Sequence, residues 1–265
     1  MLETYDYQFK GARAQLFKEA LIEYPKARRD DLSLMRKHLS PQPGERVLGF
    51  GEGNGYFCRA IAEAVGANGS YVITEASPEL ICGIPEAVLA MPQVQTKVMP
   101  TESLDFATDT FDKVWAYDAF HHCPDQTKAM KRIYRALKPG GRMVIFDVFQ
   151  GTPLAEHFDD VVARYCETGH EAKFMSETFA RTLCFLASFA DANVRIVEVP
   201  HRFVFETEED IGKFVYKLHA LTLLPGTYSE RIEATVKGLK HYLKIERDEG
   251  LHVLHWNQRG LIATK

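Results

Sequence analysis

The sequence predicts an α/β fold built on a doubly wound, mostly parallel sheet. Three observations carry this. Between residues 45 and 150, short apolar runs alternate with amphipathic segments at a spacing of about 25 residues, the rhythm of right-handed β-α-β units. The first run stops at a glycine cluster, GEGNG, where a strand hands over to a helix. The last helix of the series breaks at Lys138-Pro139-Gly140-Gly141, because proline cannot continue a helix and glycine permits the reversal.

In chain order, residues 1–40 read as an N-terminal helical segment, helical from Ala12 to Leu39 with a break near Pro25. ERVLGF (45–50) is the first strand. Tyr56 to Val65 is a helix with Phe57, Ala60, Ile61 and Ala64 on one face. SYVITEA (70–76) is the second strand, its start marked by Gly66 and Gly69, and Pro78 suits the first turn of a following helix. Gln93–Met99 and FDKVWAY (111–117) are the third and fourth strands. Asp125 caps a helix whose Met130, Ile133, Tyr134 and Leu137 make one buried stripe, and RMVIFDVF (142–149) is the fifth strand.

Further on the pattern is less regular. Ser176–Ala190 reads as a helix and VRIVEVP (194–200) as a strand. Thr207 with Asp210 resembles a capping box that opens a helix carrying Ile211, Phe214, Val215 and Leu218. Ile232, Val236, Leu239 and Leu243 mark another helix, and LHVLHW and RGLIATK end in extended texture. Residues 150–172 and 207–248 interrupt the rhythm, so they are expected to be helical cap insertions packed over one end of the sheet. The whole chain, 1–265, reads as a single domain with a ligand-binding core at 45–150.

Composition narrows the function classes. The chain has 265 residues, 46% hydrophobic and 26% charged, with a formal net charge of -4; this is ordinary globular composition. Without a basic surplus, neither nucleic acid nor an anionic membrane is the expected partner. Glu3, Asp6 and Lys10 stand where a signal peptide needs an apolar run, and no apolar stretch suggests a membrane span. The five cysteines, Cys58, Cys82, Cys123, Cys166 and Cys184, are odd in number and scattered. That argues against a disulfide framework or zinc site and fits a cytoplasmic location. His252-x-x-His255 has metal-like spacing for a helix, but on a strand the two side chains face opposite ways, so no metal site is expected.

The glycine cluster is Gly51-x-Gly53-x-Gly55. Glycine lets the backbone turn sharply and approach a ligand closely, and the helix behind it offers free N–H groups. Glu75 ends the second strand, where an acid can accept both hydroxyls of a ribose. Together these residues indicate a nucleoside-bearing ligand at the carboxyl ends of the strands. The spacing is G-x-G-x-G rather than G-x-G-x-x-G, which favours a ligand without phosphates over a dinucleotide.

The blocks ERVLGFGEGNGYF, TEASPEL, TESLDFATDTFDKVWAYDAFHHCPD and MKRIYRALKPGGRMVIFDV, in this order and spacing, resemble the class I S-adenosylmethionine-dependent methyltransferases of the small-molecule, ubiquinone-methyltransferase-like type. The resemblance covers about residues 45–150, and a terminal hairpin at 251–265 fits it too. It implies a Rossmann-like, seven-stranded, mostly parallel sheet whose last strand inserts antiparallel beside the fifth. It implies S-adenosylmethionine as cofactor, S-adenosylhomocysteine as product and no metal. By this resemblance Gly51, Gly53 and Gly55 approach the methionine and ribose parts, Glu75 holds the ribose hydroxyls and Ala76 flanks the adenine. Thr101 and Glu102 lie around the adenine edge, Tyr117 and Asp118 face the methionine end, and His121 and His122 follow at the mouth.

Two positions depart from the family pattern. Gly49 stands where the family usually has an acid, and Pro100 where an acid commonly reads the adenine amino group. Glu52 and Glu102 are the candidate substitutes.

Methyl transfer from an activated donor asks the protein mainly to align reactants and exclude water. A base helps when the acceptor is a hydroxyl, amine or acidic carbon. His121 and His122 are the candidate bases, His121 the favoured one. Tyr5, Tyr7, His157, Tyr165, His170, Tyr216 and His219 lie in the expected cap, where a polar tip can orient a small-molecule substrate. Phe203, Phe205 and Phe214 fit a core better than a pocket. Arsenic-methylating relatives use cysteine ligands, and Cys58 and Cys123 lack matching pairs for that role. The leading expectation is methylation of a small metabolite. Alternatives are non-methylating use of the same cofactor in a cyclisation or elimination, a cofactor-sensing binding protein, and a nicotinamide oxidoreductase. The aromatic N-terminal segment is a candidate for pairing two copies as a homodimer.

Overall fold

The apolar runs of the first half become strands β1 (Arg46–Phe50), β2 (Ser70–Glu75), β3 (Val94–Val98), β4 (Phe111–Tyr117) and β5 (Leu137–Asp147). They are seen in a computed structural model that describes residues 8–265. With β6 (Val194–Val199) and β10 (Gln258–Thr264) they form one seven-stranded sheet ordered β3-β2-β1-β4-β5-β10-β6. Strand β1 pairs in parallel with both β2 and β4, so the strand order reverses beside it. In an open α/β sheet that reversal opens a crevice at the carboxyl ends of the strands. β10 lies antiparallel to β5, with Arg259 opposite Asp147 and Thr264 opposite Arg142.

The chain divides into two units where the sequence reads as one domain. The unit holding most of this sheet comprises Leu34–Phe149, Ala172–Val199 and Arg259–Lys265. Its helices are the C-terminal part of α2 (Arg29–Leu39), α3 (Cys58–Val65), α4 (Pro78–Ile81), α5 (Glu86–Leu89), α6 (Gln126–Ala136) and α8 (Glu177–Leu186). Asp125 caps α6 by accepting from the Lys128 N–H at 2.8 Å, and Ser176 caps α8 by accepting from Phe179 at 3.1 Å. Met130 and Ile133 of α6 and Leu183 of α8 pack on Leu48, Val114, Met143 and Ile145 of the sheet. The expected apolar stripe of α6 runs to Leu137, yet Leu137 already pairs with Phe111 as the first residue of β5. The helix therefore passes into the strand with no separate loop.

The second unit gathers the described residues up to Ser33 with Gln150–Glu171 and Pro200–Gln258. It contains α1 (Gly11–Glu23), α7 (Pro153–His157) running on through a π turn at Phe158–Val162, α9 (Glu208–Leu218) and α10 (Tyr228–Tyr242). Strands β7 (Arg202–Phe205), β8 (Ile245–Asp248) and β9 (Leu251–His255) form a three-stranded antiparallel sheet ordered β7-β9-β8. Two expectations are corrected here. The extended segments after residue 250 are not a hairpin with each other, because β9 pairs with β7 and β8 whereas β10 pairs with β5. The segment read as a helical insertion to 248 ends as strand β8.

α9 and α10 approach closely at Gly212, where a Cβ would come within 2.8 Å of Ile232 and Val236. Lys217 of α9 reaches Glu19 and Glu23 of α1 at 3.0 and 2.5 Å. The same unit holds a buried ionic cluster. The Arg28 Nε donates to Asp31 at 2.7 Å, and the other Asp31 oxygen meets His201 Nδ1 at 2.7 Å. No described helix is long and apolar enough to cross a membrane.

Candidate active site

The glycine loop leaves β1 and enters α3 with Gly51, Gly53 and Gly55 at φ +63°, +54° and +76°. This left-handed region is where glycine is needed. A Cβ at Gly51 would run into the Ala119 side chain, and one at Gly55 would meet Ile84 at 3.0 Å and Cys58 Sγ at 3.3 Å. Glu75, at the end of β2, turns its carboxylate onto this loop. Its Oε2 accepts from the Gly53 N–H at 3.1 Å and its Oε1 from Ala76 N–H at 2.8 Å and Ser77 N–H at 3.4 Å. Burial raises the Glu75 carboxyl above its ordinary range, and the three backbone donors hold it back only in part. The structure thus brings together the three glycines, Glu75 and Ala76.

Asn54, between two of these glycines, was not singled out by sequence. It is buried, and its Nδ2 has no hydrogen bond among the described residues. Its amide sits against Gly83, where any side chain would collide with it. An amide flanked by two glycines in a strand-to-helix loop is the signal that could have found it.

Glu52 belongs to the loop but points back into the fold. Its carboxylate accepts from the Tyr71 hydroxyl and, at 3.7 Å, from the Cys58 thiol. Burial, reinforced by the Glu52 charge, pushes both Tyr71 and Cys58 well above their ordinary values. Thr101 is buried at the start of the 3-10 turn Thr101–Ser103, and Glu102 accepts from the Cys123 thiol at 3.4 Å. Tyr117 is buried against Phe57, with ring centroids 5.2 Å apart.

At the ends of β4 and β5 is a second constellation. The Asp147 carboxylate, fully buried, accepts from the His121 backbone N–H at 3.0 Å and pairs with His121 Nδ1 at 2.5 Å. It also accepts from the Val148 N–H at 2.7 Å. The His121 ring lies 4.1 Å from that of half-buried His122 and 5.3 Å from Phe174. The His121 carbonyl accepts from the Lys173 N–H at 2.8 Å, and Gln126 Nε2 donates to the carbonyls of Phe120 and Lys173 at 3.1 and 2.8 Å. The turn bearing His121 is therefore clamped on three sides. Asp118 opens it at φ +49° and donates its N–H to the Phe146 carbonyl at 2.9 Å. Asp118, His121 and Asp147 each offer a ligand atom within 4.8 Å of the others, so a metal ion is chemically admissible there. Asp147 and Gln126 were missed by sequence. An acid ending the fifth strand was the available signal for the first, and nothing local marks the second.

The candidates in the other unit fare differently. Tyr5 and Tyr7 lie outside the described residues. His157 is fully buried against Tyr242 and Trp256, with centroids 5.9 and 6.1 Å away, and neither ring nitrogen has a hydrogen bond among the described residues. Burial pushes it down to about 4, so it is a neutral core ring. Tyr216 is buried edge-on to Tyr228 at 5.5 Å, and Tyr165 is half-buried. His170 and His219 each pack on Phe158 at 5.0 Å. Phe203 and Phe205 pack on Phe214 at 5.7 and 5.3 Å, as a core. His255 of the rejected metal pair meets Glu246 at 2.7 Å.

Residues 48–145 match a family described as a methyltransferase domain. The arsenite methyltransferase of Halobacterium salinarum is 29% identical over 149 residues, covering 49% of this chain and 38% of that protein. The demethylmenaquinone methyltransferase of Lysinibacillus sphaericus is 30% identical over 114 residues, covering 43% of this chain and 49% of that protein. The structure of Haemonchus contortus phosphoethanolamine N-methyltransferase 2, solved with phosphomonomethylethanolamine and S-adenosylhomocysteine, superposes with a TM-score of 0.68 at 19% identity, covering 98% of this chain and 59% of that one. The matches thus span less than half the length of the two curated relatives. Residues 48–145 thus carry a methyltransferase domain, and the chain shares the fold of the solved methyltransferase.

Proposed function

We propose that this chain is an enzyme that moves a methyl group from S-adenosylmethionine to a small-molecule metabolite, with S-adenosylhomocysteine as the spent form. The observation that carries the reading is the Glu75 carboxylate, buried at the end of β2 and turned onto a glycine loop at the strand-order reversal. The donor set fits an adenosyl group. A carboxylate can accept two ribose hydroxyls, and glycines without side chains let the backbone come close. Asn54 supplies a buried amide donor of the kind that usually finds a partner. When bound, the cofactor supplies a methyl group on positive sulfur. The chain's own residues then align the acceptor and exclude water.

His121 is the proposed base. Donation of its Nδ1–H to Asp147 leaves the lone pair on Nε2, the position that can take a proton from a hydroxyl, an amine or an acidic carbon. Asp147 is a positioning residue that fixes ring and tautomer. A small acceptor is supported by the relatives named for arsenite and demethylmenaquinone, and by the phosphomonomethylethanolamine named with the structural neighbour. The acidic net charge supports it too.

Calorimetric titration of the full chain with S-adenosylhomocysteine tests the cofactor assignment. One saturable site is expected, and Glu75→Ala should weaken it by roughly 10- to 100-fold, the cost of losing hydrogen bonds to a charged acceptor. No heat with the wild-type chain would overturn the assignment, and unchanged affinity in Glu75→Ala would remove the ribose role. Acceptor class is then read by supplying labelled S-adenosylmethionine to a metabolite extract, with label expected in the small-molecule fraction.

A further inference from the structure

Gly49 is a glycine in the middle of a central strand, flanked on both sides by β2 and β4, where glycine weakens a sheet. Its φ does not require glycine. What requires it is space, because a Cβ built at Gly49 would run into the Glu52 carboxylate and the Tyr71 hydroxyl together. A side chain at 49 and the carboxylate of Glu52 thus exclude each other. The space is filled by a buried acid whose Oε1 is held by the Tyr71 phenol and whose Oε2 faces the Cys58 thiol.

Tyr71 and Glu75 are four residues apart on β2, and side chains two and four apart in a strand share a face. That face therefore grips the loop at two consecutive residues: Tyr71 takes the side chain of Glu52, and Glu75 takes the backbone N–H of Gly53. The two grips differ in kind. Glu75 has a carboxylate that a ligand can recruit, whereas the Glu52 carboxylate is engaged by groups of the fold.

We infer that Glu52 is a positioning residue for the candidate cofactor site: its carboxylate, lodged in the space left by Gly49 and held by Tyr71, ties the glycine loop to β2 in the shape that receives the adenosyl ligand. The inference rests on the methyltransferase reading for the ligand, but the tie itself is a property of the ligand-free chain. Its chemistry is a hydrogen bond from phenol to acceptor, so a neutral acceptor keeps the tie in weakened form.

Two readouts on the full chain test it. Amide hydrogen exchange of residues 51–55 is measured without ligand, and affinity for S-adenosylhomocysteine by calorimetry. Glu52→Ala and Tyr71→Phe are expected to speed exchange in the loop and to weaken binding about tenfold, or ~1.4 kcal/mol. Glu52→Gln, which keeps an acceptor for the phenol, is expected to stay within about threefold of wild type. Gly49→Ala should reproduce Glu52→Ala, and combining the two should cost nothing further, because residues sharing one interaction are non-additive. Wild-type exchange and affinity in Glu52→Ala, fully additive losses in the double variant, or a Glu52→Gln loss as large as that of Glu52→Ala would each overturn the tie. The last result would mean that the charge itself serves the ligand. If the wild-type chain binds no S-adenosylhomocysteine, the functional reading fails, and the exchange measurements still decide the tie.

Discussion

At the scale of single residues, the pair His121–Asp147 shows how a strand end can hold a histidine ring. One oxygen of the carboxylate takes the backbone N–H and the other takes the ring, so the carboxylate is fixed by the backbone and the ring cannot turn without losing its bond to it. Asp147→Asn offers one amide oxygen in place of two acceptors and can present N–H to the ring, which favours the wrong tautomer. Methyl transfer by this variant is expected to fall roughly 10²- to 10⁴-fold, the usual worth of general-base assistance. Binding of S-adenosylhomocysteine should stay near wild type. A wild-type rate would remove the base role. The histidine was legible in the sequence because two histidines follow a predicted strand. Its partner stands 26 positions away in the chain on another strand, and no local pattern connects them.

At the scale of elements, the glycine loop is the feature that the sequence made plainest and the structure refined most. The run ERVLGF, the glycines and the apolar face of α3 are all local signals, and each appears where periodicity and turn chemistry place it. The direction of Glu52 is not local. It depends on a hydroxyl on the neighbouring strand and on the missing side chain at Gly49. Gly51→Ala addresses the element directly. The residue sits at φ +63° with Ala119 against the position of the new Cβ, so left-handed backbone alone costs about 1–2 kcal/mol before any clash is relieved. Chemical denaturation is expected to show at least that loss, together with a drop in cofactor affinity larger than that of Gly66→Ala. Gly66 also has positive φ but meets no atom within 4 Å of a new Cβ. Equal effects of the two substitutions would show that only backbone strain matters at Gly51.

At the scale of the whole molecule, acid sensitivity has a buried source in His157. Its folded value, about 4, lies below the ordinary value of 6.5, so between those values the unfolded chain binds a proton that the folded chain refuses. Stability from this group is complete above about 6.5 and is lost as pH falls toward 4, by about 3 kcal/mol in all. His157→Phe is expected to flatten that part of the stability curve in denaturant titrations at pH 4 to 7, and an unchanged slope would exonerate the residue. Asp31 adds a second loss at lower pH. Burial alone would raise its carboxyl, but Arg28 and His201 together hold it below the ordinary range, so its contribution disappears only on further acidification.

The sequence by itself determined the strand and helix rhythm of the sheet, the glycine loop, Glu75 and the two histidines. Those features are written in periodicity, in turn residues and in spacing along the chain, which act over a few neighbours. The tertiary structure decided which polar side chains meet: Asp147 with His121, Glu52 with Tyr71, Asp31 with Arg28 and His201. It also sent β9 and β10 to different sheets and buried the His157 ring against Tyr242 and Trp256. The physical reason is burial. Once water is excluded, each polar group must find a partner wherever the fold supplies one, and its distance along the chain no longer matters.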